Sequence, residues 1–340
     1  AWREGLKVKS SSHPLPGMKD RPALRGQLSS AIEVLSAGLL ERETEARVLL
    51  LALLCQEHAL LLGPPGTAKS ELARRLSTLC PGLPYFELQL TRFSLPEELF
   101  GPLSLSALQR DRLERNTQGY LPHAGIAFID EIFKASSATL NSLLLLLNER
   151  KFDNGGERHT TPLRTLVGAS NEPPESEELD ALYDRFLFRR TVRPVSEENW
   201  IALLANDAAR SSSVPPGAQV LLPTEAELEE LRDEAKAVTF NDAANELLLD
   251  ALRGCRVRAE AEGMPPPSDR RIVKLGRALR LAALANGRTE VGAAEMLLLP
   301  LLLTSRPVDS LWLEDWLEVQ LGERSACFAP FEFVCRGLFS

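Results

Sequence analysis

Apolar and polar positions follow two different patterns along this chain. Nearly uninterrupted apolar runs occupy residues 60–62, 126–132 and 163–170, as expected for strands buried on both faces of a sheet. Between them, leucine and isoleucine recur every three or four residues, for example over 22–40, which is typical of amphipathic helices. Strands that alternate with helices predict an α/β fold with a parallel sheet, whose ligands bind at the carboxyl ends of the strands.

These patterns place the expected elements along the chain. Helices are predicted at 22–40, 44–56 and 135–150, and two further strands at 85–91 and 185–193. After a proline-rich break the composition is helical, which predicts a small all-α domain behind the sheet. Its predicted helices are 224–239, 241–261, 268–286 and 290–303.

A glycine- and proline-rich turn follows the first strand. Residues 63–70 read GPPGTAKS, a phosphate-binding loop with Ala68 where glycine is usual, so we expect access to positive φ to be lost there. Backbone N–H groups of such a loop converge on a triphosphate, and the positive end of the following helix adds to that field. Lys69 would reach the β- and γ-phosphates and Ser70 would hold Mg²⁺. The predicted nucleotide-binding residues are Gly63, Pro64, Pro65, Gly66, Thr67, Ala68, Lys69, Ser70 and Glu71.

A pair of carboxylates ends the second apolar run. Asp130 and Glu131 would be costly at the end of a buried strand unless they face a cleft that holds a cation. Asp130 is placed to hold Mg²⁺ through water, and Glu131 to polarise an attacking water, which favours hydrolysis over transfer to another acceptor. The alternative is a strand followed by an acidic helix cap.

Two polar residues follow or precede later strands. Asn171 ends the run at 163–170 and could orient the attacking water and sense the γ-phosphate, or it could cap the next helix. Arg185 lies at the start of the last predicted strand and is the candidate for stabilising charge on a neighbouring subunit's γ-phosphate, with Arg189 and Arg190 as alternates. The alternative for Arg185 is a salt bridge with Asp184.

Another arginine opens a helix of the all-α domain. Arg270 follows Ser268-Asp269 in what should be a first helical turn, where a cation is unfavourable unless an anion is near. Such local conflicts often mark sites, so Arg270 is a candidate for contact with the γ-phosphate, with Arg271 as the alternate. The alternative is a solvated helix face.

Two stretches look like insertions into the α/β core. Residues 101–124 precede the acidic strand, and residues 150–162 carry an Asn-Gly-Gly signal that predicts a β-hairpin. Both are candidate pore or partner surfaces. Phe93 and Tyr120 are candidate exposed aromatic residues, although core packing accounts for them equally well.

Composition narrows the class of protein. The chain has 340 residues, enough for about two domains, and its net charge of −8 argues against a strongly electrostatic nucleic-acid binder. Its five scattered cysteines suit a reducing compartment, and we expect no membrane span because charges interrupt every long apolar stretch. The basic residues 1–21 are expected to be a disordered arm, or else a transit-peptide remnant that would indicate a plastid or mitochondrion rather than the cytoplasm.

Taken together, seven segments resemble the MoxR family of AAA+ ATPases and, within it, the RavA branch. The resemblance covers roughly residues 22–300. The segments that carry it are GPPGTAKS (63–70), TRFSLPEELFGPLS (91–104), GYLPHAGIAFIDEIFKA (119–135), LLNERKFDNG (146–155), VGASNEPPE (167–175), LYDRFLFR (182–189) and SDRR (268–271).

The resemblance implies more than the residues alone. It implies ATP with Mg²⁺, hexameric rings in which Arg185 acts on the next subunit's ATP, and chaperone-like remodelling of protein clients, often with a partner that carries a von Willebrand factor A domain. The alternatives are the motor subunit of a metal-chelatase-type complex and a P-loop nucleic-acid motor. The implied domains are the arm at 1–21, an AAA+ α/β domain at 22–195, an all-α lid at 196–304 and an extension at 305–340 that begins a further unit.

Overall fold

A computed structural model describes residues 22–174, 177–207, 222–304 and 307–324. The predicted arm at 1–21 and the end of the predicted extension lie outside these residues. The strands are β1 His58–Leu62, β2 Tyr85–Gln89, β3 Ile126–Asp130, β4 Lys151–Asn154, β5 Glu157–Thr160, β6 Thr165–Ser170, β7 Phe186–Thr191, β8 Thr239–Phe240 and β9 Glu290–Val291. The helices are α1 Pro22–Ser36, α2 Glu43–Leu54, α3 Lys69–Thr78, α4 Pro96–Phe100, α5 Leu105–Leu108, α6 Ser137–Glu149, α7 Glu177–Tyr183, α8 Trp200–Asp207, α9 Glu225–Ala235, α10 Asp242–Ala261, α11 Asp269–Ala285, α12 Leu299–Leu303 and α13 Pro307–Arg324.

The predicted parallel sheet is confirmed. Five strands pair in the order β2-β3-β6-β1-β7, and every pairing is parallel. In β1, Ala59 and Leu61 point into one hydrophobic cluster with α1, α2, α3 and the helical domain, whereas Leu60 and Leu62 point into a second cluster with α4 and α6. This alternation explains the uninterrupted apolar run, because successive side chains of a strand point to opposite faces and both faces are covered.

The helical domain departs from the prediction at its end. The predicted helix at 290–303 is wrong, because Glu290 and Val291 form β9, which pairs in parallel with β8. Gly292 then turns the chain and donates its N–H to the Glu295 carboxylate at 2.8 Å. A 3-10 turn follows, and α12 begins just before Pro300, since proline is tolerated only at the start of a helix.

Helix α13 begins within the predicted extension. Its buried residues Leu313, Leu317 and Leu321 belong to the same hydrophobic cluster as α10, α11 and α12. On α10, a Cβ at Gly254 would lie 2.7 Å from the Trp312 ring, so a glycine is needed for this close approach. The packing therefore continues across the boundary expected at 304. No helix in the described ranges is both long enough and apolar enough to cross a membrane.

The two predicted insertions contact each other. The predicted hairpin is β4-β5, and both of its turn residues, Gly155 and Gly156, have positive φ. Asn154 pairs with the Arg115 backbone, accepting from its N–H at 2.6 Å and donating to its carbonyl oxygen at 3.1 Å. Phe93 is 90% exposed, whereas Tyr120 is half-buried against the core. Tyr120 is thus a packing residue.

A buried histidine gives the fold a specific pH dependence. His58 accepts the Leu166 N–H on Nδ1 at 3.0 Å, and its Nε2 lies 3.2 Å from the Leu147 carbonyl oxygen. Burial, and then the positive charges of Arg150 and Lys274, hold the pKa of His58 well below its usual value. The native state therefore contains the neutral ring.

We expect the free energy of unfolding to fall as the pH drops from about 7 to about 5.5, because only the unfolded state takes up this proton. The slope is about 1.4 kcal/mol per pH unit below the unfolded pKa of about 6.5. Urea unfolding of wild type and of His58→Gln, which cannot titrate here, measures it. Equal slopes in the two proteins would show that His58 is not the responsible group.

Candidate active site

The loop after β1 is fixed by close backbone contacts. Gly63 donates its N–H to the Ser170 carbonyl oxygen at 3.0 Å, at the end of β6. A Cβ at Gly63 would lie 2.2 Å from the Val192 carbonyl oxygen, so only glycine fits between the ends of β6 and β7. Gly66 has a φ of +80°, which also favours glycine. The first glycines of the predicted loop are thus explained by geometry.

Ala68 adopts the conformation that alanine normally avoids. Its φ is +65° and its ψ is 24°, so the expectation that positive φ is lost at this position is wrong. The left-handed region costs a non-glycine residue about 1–2 kcal/mol, which the surrounding contacts must offset. Ala68 is the N-cap of α3, which begins at Lys69, and its carbonyl oxygen accepts the Leu72 N–H at 3.1 Å.

Lys69 folds back over its own loop. Its Nζ donates to the carbonyl oxygens of Gly63 at 2.6 Å and Pro64 at 2.9 Å. Burial lowers its pKa, and the nearby charges of Asp130 and Glu131 oppose that shift. The ammonium group is therefore held by weak acceptors that phosphate oxygens could replace.

The predicted polar residues after β3 and β6 meet at the same sheet edge. Asn171 donates its Nδ2 to Glu131 Oε1 at 2.7 Å, and Lys134 Nζ lies 3.4 Å from Glu131 Oε2. Glu131 is buried and has a φ of +53°, and its N–H donates to Asp130 Oδ1 at 3.0 Å. A left-handed non-glycine residue costs about 1–3 kcal/mol and is typical of functional sites.

The donor set at this edge suits a hard divalent cation. Ser70 lies in the first turn of α3 and is half-buried, and Asp130 ends β3 with its carboxylate near Lys69. Mg²⁺ prefers oxygen ligands and keeps several waters, so one hydroxyl and one carboxylate beside a phosphate chain are a sufficient set. Glu71, by contrast, accepts from Arg75 Nε at 2.9 Å.

Arg185 and Arg270 lie at the other edge of the sheet. Arg185 immediately precedes β7, whose first residue is in register with the start of β1, and Arg270 lines a cleft beside Glu57. The five residues of β1 separate this edge from the phosphate loop by roughly 16 Å. Burial and then the positive charge of Arg270 lower the pKa of Arg185, so the two guanidinium groups are neighbours. Neither can serve the phosphate loop of its own chain in this arrangement.

The alternate arginines are committed to structural contacts. Arg189 donates to the Thr304 carbonyl oxygen at 2.6 Å and stacks on the Tyr183 ring. Arg271 is buried and donates to an α12 carbonyl oxygen at 2.6 Å and to one of β7 at 2.9 Å. Arg190 pairs with the buried Glu45 carboxylate at 3.0 Å. Arg185 has the predicted alternative contact only at long range, with its Nη1 3.9 Å from the Asp184 carboxylate. Its Nε is buried without a hydrogen-bond partner among the described residues, and Arg270 is exposed.

Family profiles match most of the chain. The profile described as the MoxR domain in the MoxR-vWA-beta-propeller ternary systems matches residues 26–232, and an AAA lid domain profile matches 248–317. The chain belongs to the MoxR family of AAA+ ATPases. The sheet, the phosphate loop and the helical domain described above are the AAA+ core and its lid.

Relatives of this MoxR-family chain differ in how much of it they share. Protein MJ0079 of Methanocaldococcus jannaschii is 40% identical over 269 residues, 78% of this chain and 66% of that protein. Chaperone MoxR1 of Mycobacterium tuberculosis is 29% identical over 180 residues, 52% of this chain and 46% of that protein. The chain thus spans just under two thirds of the first and about half of the second. A crystal structure from Cytophaga hutchinsonii, 21% identical, superposes with a TM-score of 0.66 over 84% of this chain and 88% of that one, which shows a shared fold.

A cavity beside the phosphate loop was not predicted from the sequence. It has a volume of about 300 Å³, and its walls come from the α1–α2 connection, the loop itself, the segment between β7 and α8 and the first turn of α8. Most of the wall is apolar, so it suits a flat heterocycle next to a phosphate chain. The residues that sequence reasoning missed are Leu39, Leu40, Arg42, Pro194, Val195, Trp200 and Leu203. An exposed tryptophan so soon after the last strand was the available signal.

Proposed function

We propose that this MoxR-family chain binds ATP with Mg²⁺ and hydrolyses it at the edge that carries Lys69 and Glu131. The observation that carries the proposal is the contact between Asn171 and Glu131, because it brings two polar residues from different strands beside the phosphate loop. The cavity lined by Trp200 would take the adenine, and the loop N–H groups would take the phosphates.

Each polar side chain would have one task. Lys69 would exchange its loop carbonyl contacts for phosphate oxygens. Ser70 and Asp130 would hold Mg²⁺, which when bound neutralises charge on the β- and γ-phosphates. Glu131 would take a proton from the attacking water, and the Asn171 amide would hold the carboxylate and the water in line.

The distance between the two sheet edges supports a ring. Arg185 and Arg270 form a cationic pair that is remote from the chain's own phosphate loop, so each would contact the nucleotide of a neighbouring copy. In a closed ring every copy supplies both edges, and the motifs that resemble the RavA branch imply six copies. Both arginines therefore belong to the proposed catalytic set.

The work done by the ring is proposed from the family. We propose remodelling of protein complexes in the cytoplasm together with a von Willebrand factor A-domain partner, which the ternary systems in the family description and the name of chaperone MoxR1 support. The exposed side chain of Phe93 is the candidate contact with a client protein. A chelatase-type motor shares these features and would differ by its catalytic partner, whereas the net charge of −8 disfavours a nucleic-acid motor.

Steady-state ATP hydrolysis against protein concentration tests the function and the ring together. We expect specific activity to rise with concentration and then level off, because only an assembled interface unites Arg185 with a phosphate loop. Lys69→Ala is the control that should be inactive throughout. Activity that is independent of concentration would refute the shared site, and an inactive wild type would refute hydrolysis.

A further inference from the structure

Arg42 lies at the junction of three chain segments. It is the N-cap of α2 and only 4% exposed, although it carries a guanidinium group. Its Nε donates to the Thr67 carbonyl oxygen at 3.1 Å, its Nη1 to that of Glu41 at 2.7 Å and its Nη2 to that of Arg193 at 2.7 Å. These oxygens belong to the phosphate loop, the α1–α2 connection and the segment 192–199 between β7 and α8, here called the connector.

The bond to Thr67 fixes a peptide of the phosphate loop. In a trans peptide the C=O and the following N–H point in opposite directions. Because Arg42 holds the Thr67 oxygen on its own side, the N–H of Ala68 points away from Arg42. That same peptide leads into Ala68, whose positive φ of 65° is unfavourable for alanine. Arg42 thus contacts the peptide next to the residue with the unfavourable backbone conformation.

The neighbouring residue, Glu41, forms hydrogen bonds with the same connector. The Glu41 carboxylate accepts the Ser196 N–H at 3.0 Å and the Asn199 Nδ2 at 2.7 Å. Glu41 and Arg42 together join the loop to the segment that carries Trp200, the wall of the cavity described above. The side chains of these two adjacent residues therefore connect the loop to the connector through hydrogen bonds.

We propose that Arg42 is a positioning residue, which holds the Thr67–Ala68 peptide in its anion-binding orientation and offsets the unfavourable backbone of Ala68. This rests on the proposed nucleotide binding but assigns Arg42 no contact with the phosphates. The guanidinium acts through the peptide, so its loss should weaken nucleotide binding more than it slows turnover. Glycine at position 68 should make the support less necessary.

A double-mutant cycle in the full chain tests this, with ADP binding measured by calorimetry. We expect Arg42→Met to raise the Kd for ADP about tenfold, as the loss of one hydrogen bond from a charged donor would. In an Ala68→Gly background the same change should raise it less than about threefold, because glycine takes positive φ freely. Arg42→Lys, which has no planar fork, should behave like Arg42→Met in both backgrounds.

Controls separate this role from general stability. Arg256 is an exposed arginine of α10, and Arg256→Met should leave the Kd unchanged. Thermal unfolding shows which variants fold, and Arg42→Lys carries the comparison if Arg42→Met does not. An equal rise in Kd with and without Ala68→Gly would overturn the proposal, as would Arg42 variants that bind like wild type. A wild type that does not bind ADP would refute the nucleotide site itself, and this inference with it.

Discussion

Replacing Glu131 with glutamine is expected to lower kcat for ATP hydrolysis by about 10²- to 10⁴-fold, the range for loss of a general base. Nucleotide binding should survive, because glutamine keeps the oxygen that accepts from Asn171 at 2.7 Å and the same side-chain length. The φ of +53° at position 131 should cost glutamine no more than it costs glutamate, because the two side chains have the same shape. Single-turnover hydrolysis and a binding titration on the same preparation measure the two effects separately.

The matched control for this substitution is Glu149→Gln. Glu149 ends α6, is half-exposed and pairs with Arg158 in the hairpin, so losing its charge should leave kcat unchanged. If Glu131→Gln hydrolysed ATP at the wild-type rate, Glu131 would not be the base, and the acidic pair would be a strand end with a helix cap. If Glu131→Gln failed to bind nucleotide, its role would be structural.

Arg185→Ala is expected to lower kcat by about 10³-fold, the lower end for loss of an arginine that stabilises charge on the transferred phosphoryl group. The loss should be repaired in part by mixing this variant with Lys69→Ala. In a mixed ring, an Arg185→Ala copy keeps an intact phosphate loop and a Lys69→Ala copy supplies the arginine from its opposite sheet edge. Hydrolysis against mixing ratio, with each variant inactive alone, measures this complementation.

Arg158→Ala is the control for this second prediction. Arg158 is a half-exposed hairpin residue that pairs with Asp153 at 2.8 Å and with Glu149 at 3.5 Å, and its variant should keep full activity. Mixtures that stay inactive at every ratio, although the two variants co-assemble, would mean that Arg185 does not act across an interface. Recovery with Arg185→Ala alone at high concentration would mean that Arg185 supports assembly only.

The chemistry of the site was predictable where short segments carry it. The loop at 63–70 requires a glycine where the chain passes Val192 and a lysine at the start of a helix, and both requirements appear within one short segment. The pair Asp130-Glu131 was likewise predictable as a site, because carboxylates at the end of a buried strand are unfavourable unless they face a cation. Their approach to Asn171 followed from parallel strands, whose carboxyl ends share an edge.

Side chains of the same type proved indistinguishable in the sequence. Arg185, Arg189, Arg190, Arg270 and Arg271 differ only in which carbonyl oxygens and carboxylates surround them, and these come from distant segments such as α12 and α2. The helix predicted at 290–303 failed for a similar reason, since apolar residues there pack in a two-residue strand and a 3-10 turn. Packing partners, rather than local preference, decided both outcomes.

By itself the sequence determined the α/β class of this protein, its phosphate loop and its acidic pair, since each depends on neighbours within a few residues. Only the tertiary structure decided the left-handed Ala68, its support by Arg42 and the cavity beside Trp200. Each of these joins segments far apart in the chain. The physical reason is that a strained peptide or a buried guanidinium is stable only when distant backbone groups satisfy it, and those groups meet only in the folded chain.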